Sequence, residues 1–479
     1  QAQGRGGELI RWSDFAGMSP EDGDLKRSTV MITGLLADLD FTAANSEINK
    51  LELLAPQSDN FPFFSQFAAA ARTYSMLSLG EFERLELTIR GLSLGSAECK
   101  LGIDDQINLL RLLATKRYIW NDAEGVENIY LEARELAKQT SLFTSHVFLL
   151  SIESMYLHQL GQYRRAFDLA NGALIQFKQN NFVGNHGPLD VMYVIARCLL
   201  EFSRPQQAFA IFEEIQSRAE EWKQWHWYLA SEQHFMEFLT YRGQLQEALE
   251  RLSKARQKVS LIDSENQLAT FCDLAEMNVR RNLKDFDRLE TLLSRTPDIR
   301  HTKQMKLALD EFRGRKSFTD DALKLPSKAP RDAIWKHLMD VSLNIKAEKV
   351  ALTSMLKALE IGAEVGAKET FLRQNDEMGN LIIKIANLYP TVYHEELAAA
   401  MADRIKERNS QISFARPALT KRELEILRQL STARTLTVIS QELHISQNTM
   451  KTHLKNLYRK LGVSGRIEAV DKARSSFLI

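Results

Sequence analysis

The sequence predicts an all-α chain in two parts, a long α-solenoid followed by a compact basic module at the C-terminal end. Three observations predict it. Gly and Pro are scarce, 22 and 10 in 479 residues, while the strong helix formers Leu, Ala, Glu, Lys and Arg are abundant. Short polar turns recur at nearly constant spacing between residues 36 and 286. The charge is also divided: residues 416–479 carry 12 Lys and Arg against 5 Asp and Glu, a net of +7, which leaves −7 on the rest of a chain with no formal net charge.

The turns read LADLDF (36–41), LSLGEF (77–82), IWNDAEG (119–125), HQLGQY (158–163), FSRPQQ (202–207), YRGQLQ (241–246) and NLKDF (282–286). Marked at Asp40, Gly80, Asp122, Gly161, Arg204, Gly243 and Lys284, they lie 40, 42, 39, 43, 39 and 41 residues apart. Apolar residues with a period near 3.6 flank each one. MYLHQLGQYRRAFDLANGAL shows the unit best: Leu157, Leu160 and Tyr163 lead into the turn, and Ala166, Leu169, Ala170 and Ala173 form the stripe after it. Small residues after the turns (Ala166, Ala208, Ala248) let paired helices approach closely. A single hairpin of this kind cannot bury its own apolar face, so the hairpins must stack. They resemble tetratricopeptide repeats, with a period nearer 40 than 34, which implies a right-handed superhelix with a concave wall. The period blurs after residue 295 and returns as a helical pair near 344–376. The division expected is therefore a solenoid over 1–405, a polar aperiodic linker over 406–418 (KERNSQISFARPA) and a C-terminal domain over 419–479.

Chemistry of other kinds finds no sequence support. No GxxxxGK[ST], no GxGxxG after a strand and no HExxH appears. Cys99, Cys198 and Cys272 stand far apart, outside metal-ligand spacing, so packing thiols in a reducing, cytoplasmic compartment are expected. No apolar run approaches the ~18 residues of a membrane span, and the opening QAQGRGGELIRWSDF has no secretory h-region. Carboxylate pairs such as Glu213–Glu214 read as solvated helix faces. The expectation is a non-enzyme with no cofactor in this chain and no membrane partner. Two body features suit an effector instead. EEWKQWHWYLASEQ (220–233) gathers Trp222, Trp225, His226 and Tyr228, rigid amphipathic surfaces that can line a pocket, with inter-repeat packing the preferred reading. NNFVGNHGPLD (180–190) supplies Asn185 and His186 from a polar loop.

The C-terminal module explains the basic surplus. ALTKRELEILRQLS opens with Thr420 three residues before Glu423, a capping box, and Leu424, Leu427 and Leu430 continue an inward stripe. Thr435 caps a short second helix carrying Val438, Ile439 and Leu443; HIS makes a tight turn; a third helix runs from about Gln447 to Leu461 and a fourth from about Gly465 to Ser475. On a wheel of 100° per residue with Met450 at zero, Leu454, Leu457 and Leu461 lie within about 40° of it. Asn448, Lys451, Thr452, Lys455 and Arg459 cover an opposite face about 100° wide. No Asp or Glu occurs between Gln447 and Leu461. A solvated surface helix interleaves carboxylates with its cations. A helix without them, behind a helix-turn-helix, suits the major groove of duplex DNA.

The order Leu419, Thr420, Arg422, Glu423, Glu425, Ile426, Leu427, Ile439, Leu443, Ile445, Ser446, Thr449, Lys451, His453, Leu454, Leu457, Tyr458, Lys460, Leu461, Val463, Arg466, Glu468 and Ala469 resembles the LuxR-type DNA-binding domain over about 60 residues. The resemblance implies a four-helix fold whose third helix enters the groove. Lys451, Thr452 and Lys455 would face bases, Asn448 and Arg459 would share that face, and Thr449, Lys460 and Arg466 would serve phosphates or domain structure. The fourth helix would support a homodimer on DNA. Departures are Ala433, Val438 and Met450, where the family has glycine, an acidic residue and valine. The body more diffusely resembles the region before the DNA-binding domain of MalT-like regulators, through ELIRWSDF, the stacked hairpins and ALEIGAEVGAKETFLRQNDEMGNLI. In those proteins an NTPase domain precedes the solenoid, and the solenoid binds an inducer. The reading is a bacterial transcriptional regulator whose solenoid senses a small-molecule or protein effector, with RNA polymerase as a further partner. The alternatives are the C-terminal part of a larger ATP-dependent regulator, or a protein-interaction scaffold localised to DNA.

Overall fold

The structure is a computed structural model that describes residues 22–37, 40–179, 188–261, 268–283, 285–296, 302, 305, 306, 309, 329–412, 419–432 and 434–475. Among these residues the regular structure is helical throughout. The expected seven hairpins are all present: α1 (Gly23–Ala37) with α2 (Phe41–Leu54), α3 (Phe61–Leu79) with α4 (Phe82–Gly91), α5 (Ile103–Ile119) with α6 (Ala123–Ala137), α7 (Phe143–Leu160) with α8 (Tyr163–Gln179), α9 (Pro188–Glu201) with α10 (Pro205–Glu221), α11 (Trp225–Tyr241) with α12 (Leu245–Ser260), and α13 (Ala269–Leu283) with α14 (Phe286–Arg295). Asp40, Gly80, Asp122, Gly161, Arg204 and Gly243 each fall at the break between the two helices of a pair, and Lys284 lies outside the described residues.

Local chemistry sets those breaks. Asp40, Asp122 and Asp285 cap the second helix by accepting from the amide three residues on. Gly161 ends α7 at φ +83°, a conformation that costs glycine little. A side chain at Gly161 would also meet the backbone of Arg331 at 2.8 Å. Ala166, Ala208 and Ala248 are fully buried, so helices meet closely where the small residues recur.

The solenoid turns back on itself. Phe82, at the start of α4, and Trp120, after α5, both pack on Phe271 of α13, with ring centroids 6.2 and 5.3 Å away. Gly80 lies against Leu268. The first helices of the middle hairpins are consequently buried around most of their circumference, and polar groups face one another inside. Arg111 of α5 donates to Asp190 of α9 at 2.7 Å, and Ser151 of α7 donates to the same carboxylate at 2.5 Å. Arg111 and Asp190 are only 4% and 1% exposed. An ion pair this deep adds little net stability, because desolvation offsets its attraction.

A second helical unit follows: α15 (Pro330–Leu343), α16 (Glu348–Val365), the short α17 (Glu369–Leu372), α18 (Asp376–Leu388) and α19 (Val392–Ile412). Its core joins Ile334, Met355, Leu359, Phe371, Ile382, Ile385, Leu397 and Met401. It lies along the row of intra-hairpin turns. Arg331 reaches Gln159 at 2.6 Å, the Lys368 amide donates to the Glu201 carbonyl at 2.6 Å, and Arg408 donates to the Tyr241 carbonyl at 2.9 Å. Arg408 also donates to the Leu372 and Gln374 carbonyls and to Asp376.

These bonds correct the expected boundary at residue 405. Residues 406–412 are the last turns of α19, fixed to the body by Arg408 and by the Arg242–Glu407 pair at 3.3 Å. Their polarity reflects a helix anchored through hydrogen bonds rather than apolar contact. The rest of the expected linker, 413–418, lies outside the described residues.

Candidate nucleic-acid interface

The C-terminal module has its own core, made by Ile426, Leu427, Leu430, Ile439, Leu443, Met450, Leu454, Leu457, Leu461, Ala469, Val470 and Ala473. Its helices are α20 (Lys421–Leu430), α21 (Leu436–Glu442), α22 (Gln447–Leu461) and α23 (Arg466–Ser475). The capping box forms as expected: Thr420 Oγ1 accepts from the Glu423 amide at 3.2 Å, and Glu423 Oε2 accepts from the Thr420 amide at 2.7 Å. Thr435 caps α21. His444, at φ +52°, turns the chain between α21 and α22, and Ser446 then caps α22 by accepting from the Thr449 amide at 3.0 Å.

Met450, Leu454, Leu457 and Leu461 are the buried residues of α22. Asn448, Thr449, Lys451, Thr452, Lys455 and Arg459 are exposed. Met450 fills its family position as an apolar core residue, whereas Ala433 lies outside the described residues. Thr452 donates to the Asn448 carbonyl at 3.0 Å and Arg459 to Asn456 at 3.4 Å, and among the described residues no carboxylate pairs with Lys451, Lys455 or Arg459 on this face. Its chemistry is two ammonium groups and a guanidinium beside an amide and hydroxyls. That set matches phosphates and the acceptor-rich edges of purines.

Two of the eight expected contact residues, Lys460 and Arg466, are bonded within the module. Lys460 donates to the buried Glu423 carboxylate at 2.6 Å. Arg466 donates to the carbonyls of Leu430 at 3.0 Å and Thr432 at 2.6 Å. These bonds tie α22 and α23 to α20, which accords with domain structure, one of the two roles expected of them. Burial works against charge on Glu423, yet Lys460 and the Thr420 amide hold its carboxyl below the usual range.

This pair sets an acid-side prediction. A depressed carboxyl contributes stability present above the unfolded value and lost as pH falls through the folded one. Lys460→Met should cost the module about 2 kcal/mol near neutral pH and weaken its stability loss below about pH 4. Melts between pH 3 and 7 measure both, and a variant as stable as the parent would remove the assigned role.

The body residues expected to meet an effector are used in packing. Tyr228 and Trp225 of α11 lie 6.4 Å apart, and the Lys258 ammonium of α12 sits 4.1 and 5.6 Å from their rings. Lys258 also pairs with Glu220. Trp222 is covered by Arg218 at 5.8 Å, and His226 is buried beside Trp227. The cluster therefore joins α10, α11 and α12, and its aromatic pair already holds a cation of this chain. Asn185 and His186 lie outside the described residues.

Comparison with known proteins converges on the same module. The family model of bacterial regulatory proteins, luxR family, matches residues 417–473. The probable transcriptional regulatory protein NarL of Mycobacterium tuberculosis is 35% identical over 83 residues, 17% of this chain and 37% of that protein. The spore germination protein GerE of Bacillus subtilis is 42% identical over 66 residues, 14% of this chain but 85% of GerE. The regulator MalT of Yersinia pestis is 43% identical over 56 residues, 12% of this chain and 6% of MalT. This chain thus spans little over a third of the NarL protein it matches. Among solved structures, a Rap protein complexed with competence and sporulation factor aligns over 81% of this chain and 99% of its own, at 11% identity and a TM-score of 0.42. With nearly the whole of GerE matched in sequence, and a capped helix-turn-helix core in place, the chain belongs to the luxR family of bacterial regulatory proteins.

Proposed function

We propose that the chain is a transcriptional regulator that binds duplex DNA through α22 as a homodimer on paired half-sites. Its helical body senses a small-molecule or protein effector. The observation that carries the DNA reading is the unopposed cationic face of α22, where Lys451, Lys455 and Arg459 are exposed and no acid occurs between Gln447 and Leu461. The fixed end of α19 supports the sensing reading. The body holds the end of α19 through Arg408 and Glu407, so a change in how the turns seat that helix would bias where two modules stand. Among the described residues no helix is long and apolar enough to cross a membrane.

The test is titration of the full chain with duplex oligonucleotides across salt concentrations. Attraction at low ionic strength should weaken linearly in log salt, by about 0.9 per phosphate neutralised. No attraction at low ionic strength would end the DNA reading. Effector sensing requires a small molecule or protein that shifts duplex affinity; a body that only forms salt-insensitive protein complexes, with duplex affinity unchanged, would make it a scaffold.

A further inference from the structure

Two neighbouring side chains at the start of α20 reach opposite ends of α22. Arg422 donates to the carbonyl of Leu443, the residue that ends α21 three positions before the Ser446 cap of α22. Glu423 accepts from the ammonium of Lys460, in the last turn of α22, at 2.6 Å. From Gln447 to Lys460 the helix rises about 20 Å, so one dipeptide holds nearly its whole length. The Glu423 contact is deep, with the carboxylate 4% exposed. The Arg422 contact is not: its side chain is 33% exposed, and its other partner, Glu425 at 2.6 Å, is 51% exposed. Ion pairs as open as this add little to stability, so stability alone does not account for the reach of Arg422.

The Leu443 carbonyl lies where the helix-turn-helix bends most sharply. His444 follows at φ +52°, a conformation that residues other than glycine adopt at a cost. The His444 and Ile445 amides donate back to the Gln441 and Ser440 carbonyls, both at 3.0 Å. Those bonds lie within α21 and its turn; Arg422 adds the tie to α20. The stripe of Met450, Leu454, Leu457 and Leu461 decides which face of α22 is inward. As a single row it resists rolling of the helix better than tilting, so the contacts at the two ends govern tilt. With Lys460 as pivot, a tilt of about 10° carries Lys451, about 14 Å along the axis, through about 2 Å. Direct contacts to base edges do not survive such a displacement. Phosphate contacts, which carry no sequence information, tolerate it better.

We propose that Arg422 is a positioning residue for base reading. By holding the α21–α22 turn to α20 it sets the tilt of α22, and with it the discrimination between sequences, without itself touching DNA. This rests on the DNA reading above. It gives Arg422 a part distinct from that of Lys451, Thr452 and Lys455, which face the duplex, and from that of Lys460, whose bond bears on the stability of the module.

The experiment uses the full chain, the duplex it enriches most from a random-sequence pool, and a scrambled duplex of the same composition. Arg422→Met should lower affinity for the enriched duplex about tenfold. The scrambled duplex should stay within about twofold of its parent affinity, and Tm within a few degrees. The salt slope should not change, because no phosphate contact is lost. Glu425→Gln keeps the bond to Leu443 and should discriminate as the parent does. Equal losses on both duplexes, in step with a fall in Tm, would make Arg422 structural only. A salt slope reduced by about one would place it on phosphate, and a loss as large in Glu425→Gln would transfer the effect to the surface pair. Each of these overturns the positioning role and leaves DNA binding standing. A parent that binds duplex in a salt-dependent way yet enriches no sequence does the same. No attraction to any duplex at low ionic strength ends the DNA reading, and this one with it.

Discussion

Lys455→Ala is expected to lower affinity for a cognate duplex about tenfold and to narrow the gap between cognate and random sequence. Lys455 projects from the middle of the exposed face of α22, opposite the Met450–Leu461 stripe, on a helix whose far side is locked in the core. A cation so placed reads guanine acceptors when the helix lies in the major groove, and each good base contact is worth about 1–3 kcal/mol of discrimination. Removing it should change affinity and specificity together. Competitive titration with cognate and scrambled duplexes at fixed salt decides the matter. Equal losses on both, with a salt slope reduced by about one, would place Lys455 on phosphate instead. The fold should be unaffected, because the side chain is exposed.

Arg404→Met has the largest expected effect on stability. Arg404 of α19 grips Glu369 of α17 with two bonds of 2.7 and 3.2 Å, and both residues are about 5% exposed or less. Arg373 approaches the same carboxylate only to 3.6 Å. Losing one partner of a pair this deep leaves an uncompensated charge and costs about 3–5 kcal/mol. Replacing both residues by Met should restore much of that loss, because two desolvated charges disappear with the bond. Urea unfolding of the parent, the single and the double variant tests this. A single variant within about 1 kcal/mol of the parent would mean that the carboxylate finds water or Arg373 at little cost.

What the sequence disclosed follows the range of the interactions concerned. Hairpin turns depend on capping aspartates, left-handed glycines and small residues within a few positions, so all seven could be placed by spacing. The stripe of Met450, Leu454, Leu457 and Leu461 could be placed by periodicity, and the Thr420–Glu423 box by a three-residue interval. Lys460 could not. It stands about 90° from the centre of the Met450–Leu461 stripe on the wheel, among residues that read as surface, and its 37-residue reach to Glu423 is what assigns it. The contact of Trp120 with Phe271 is likewise a long-range event, and it fills the inner side of the superhelix that the repeats alone suggested was open. Trp225 and Tyr228 were ambiguous because a ring that packs and a ring that binds have the same composition. The extension of α19 over 406–412 was hidden because its anchors are Arg408, meeting backbone carbonyls and Asp376, and the Arg242–Glu407 pair, contacts without apolar periodicity.

The anchoring of α19 fixes a length. From Ile412, the last residue of that helix, to Leu419, where the described module begins, the chain takes seven peptide steps, about 25 Å if drawn fully straight. Half-sites one helical turn apart are separated by about 34 Å. In the proposed dimer, a module within that reach of α19 would not span the gap to its neighbour's half-site on its own. In the homodimer proposed above, the spacing of paired half-sites would therefore be set by where two bodies hold the ends of α19.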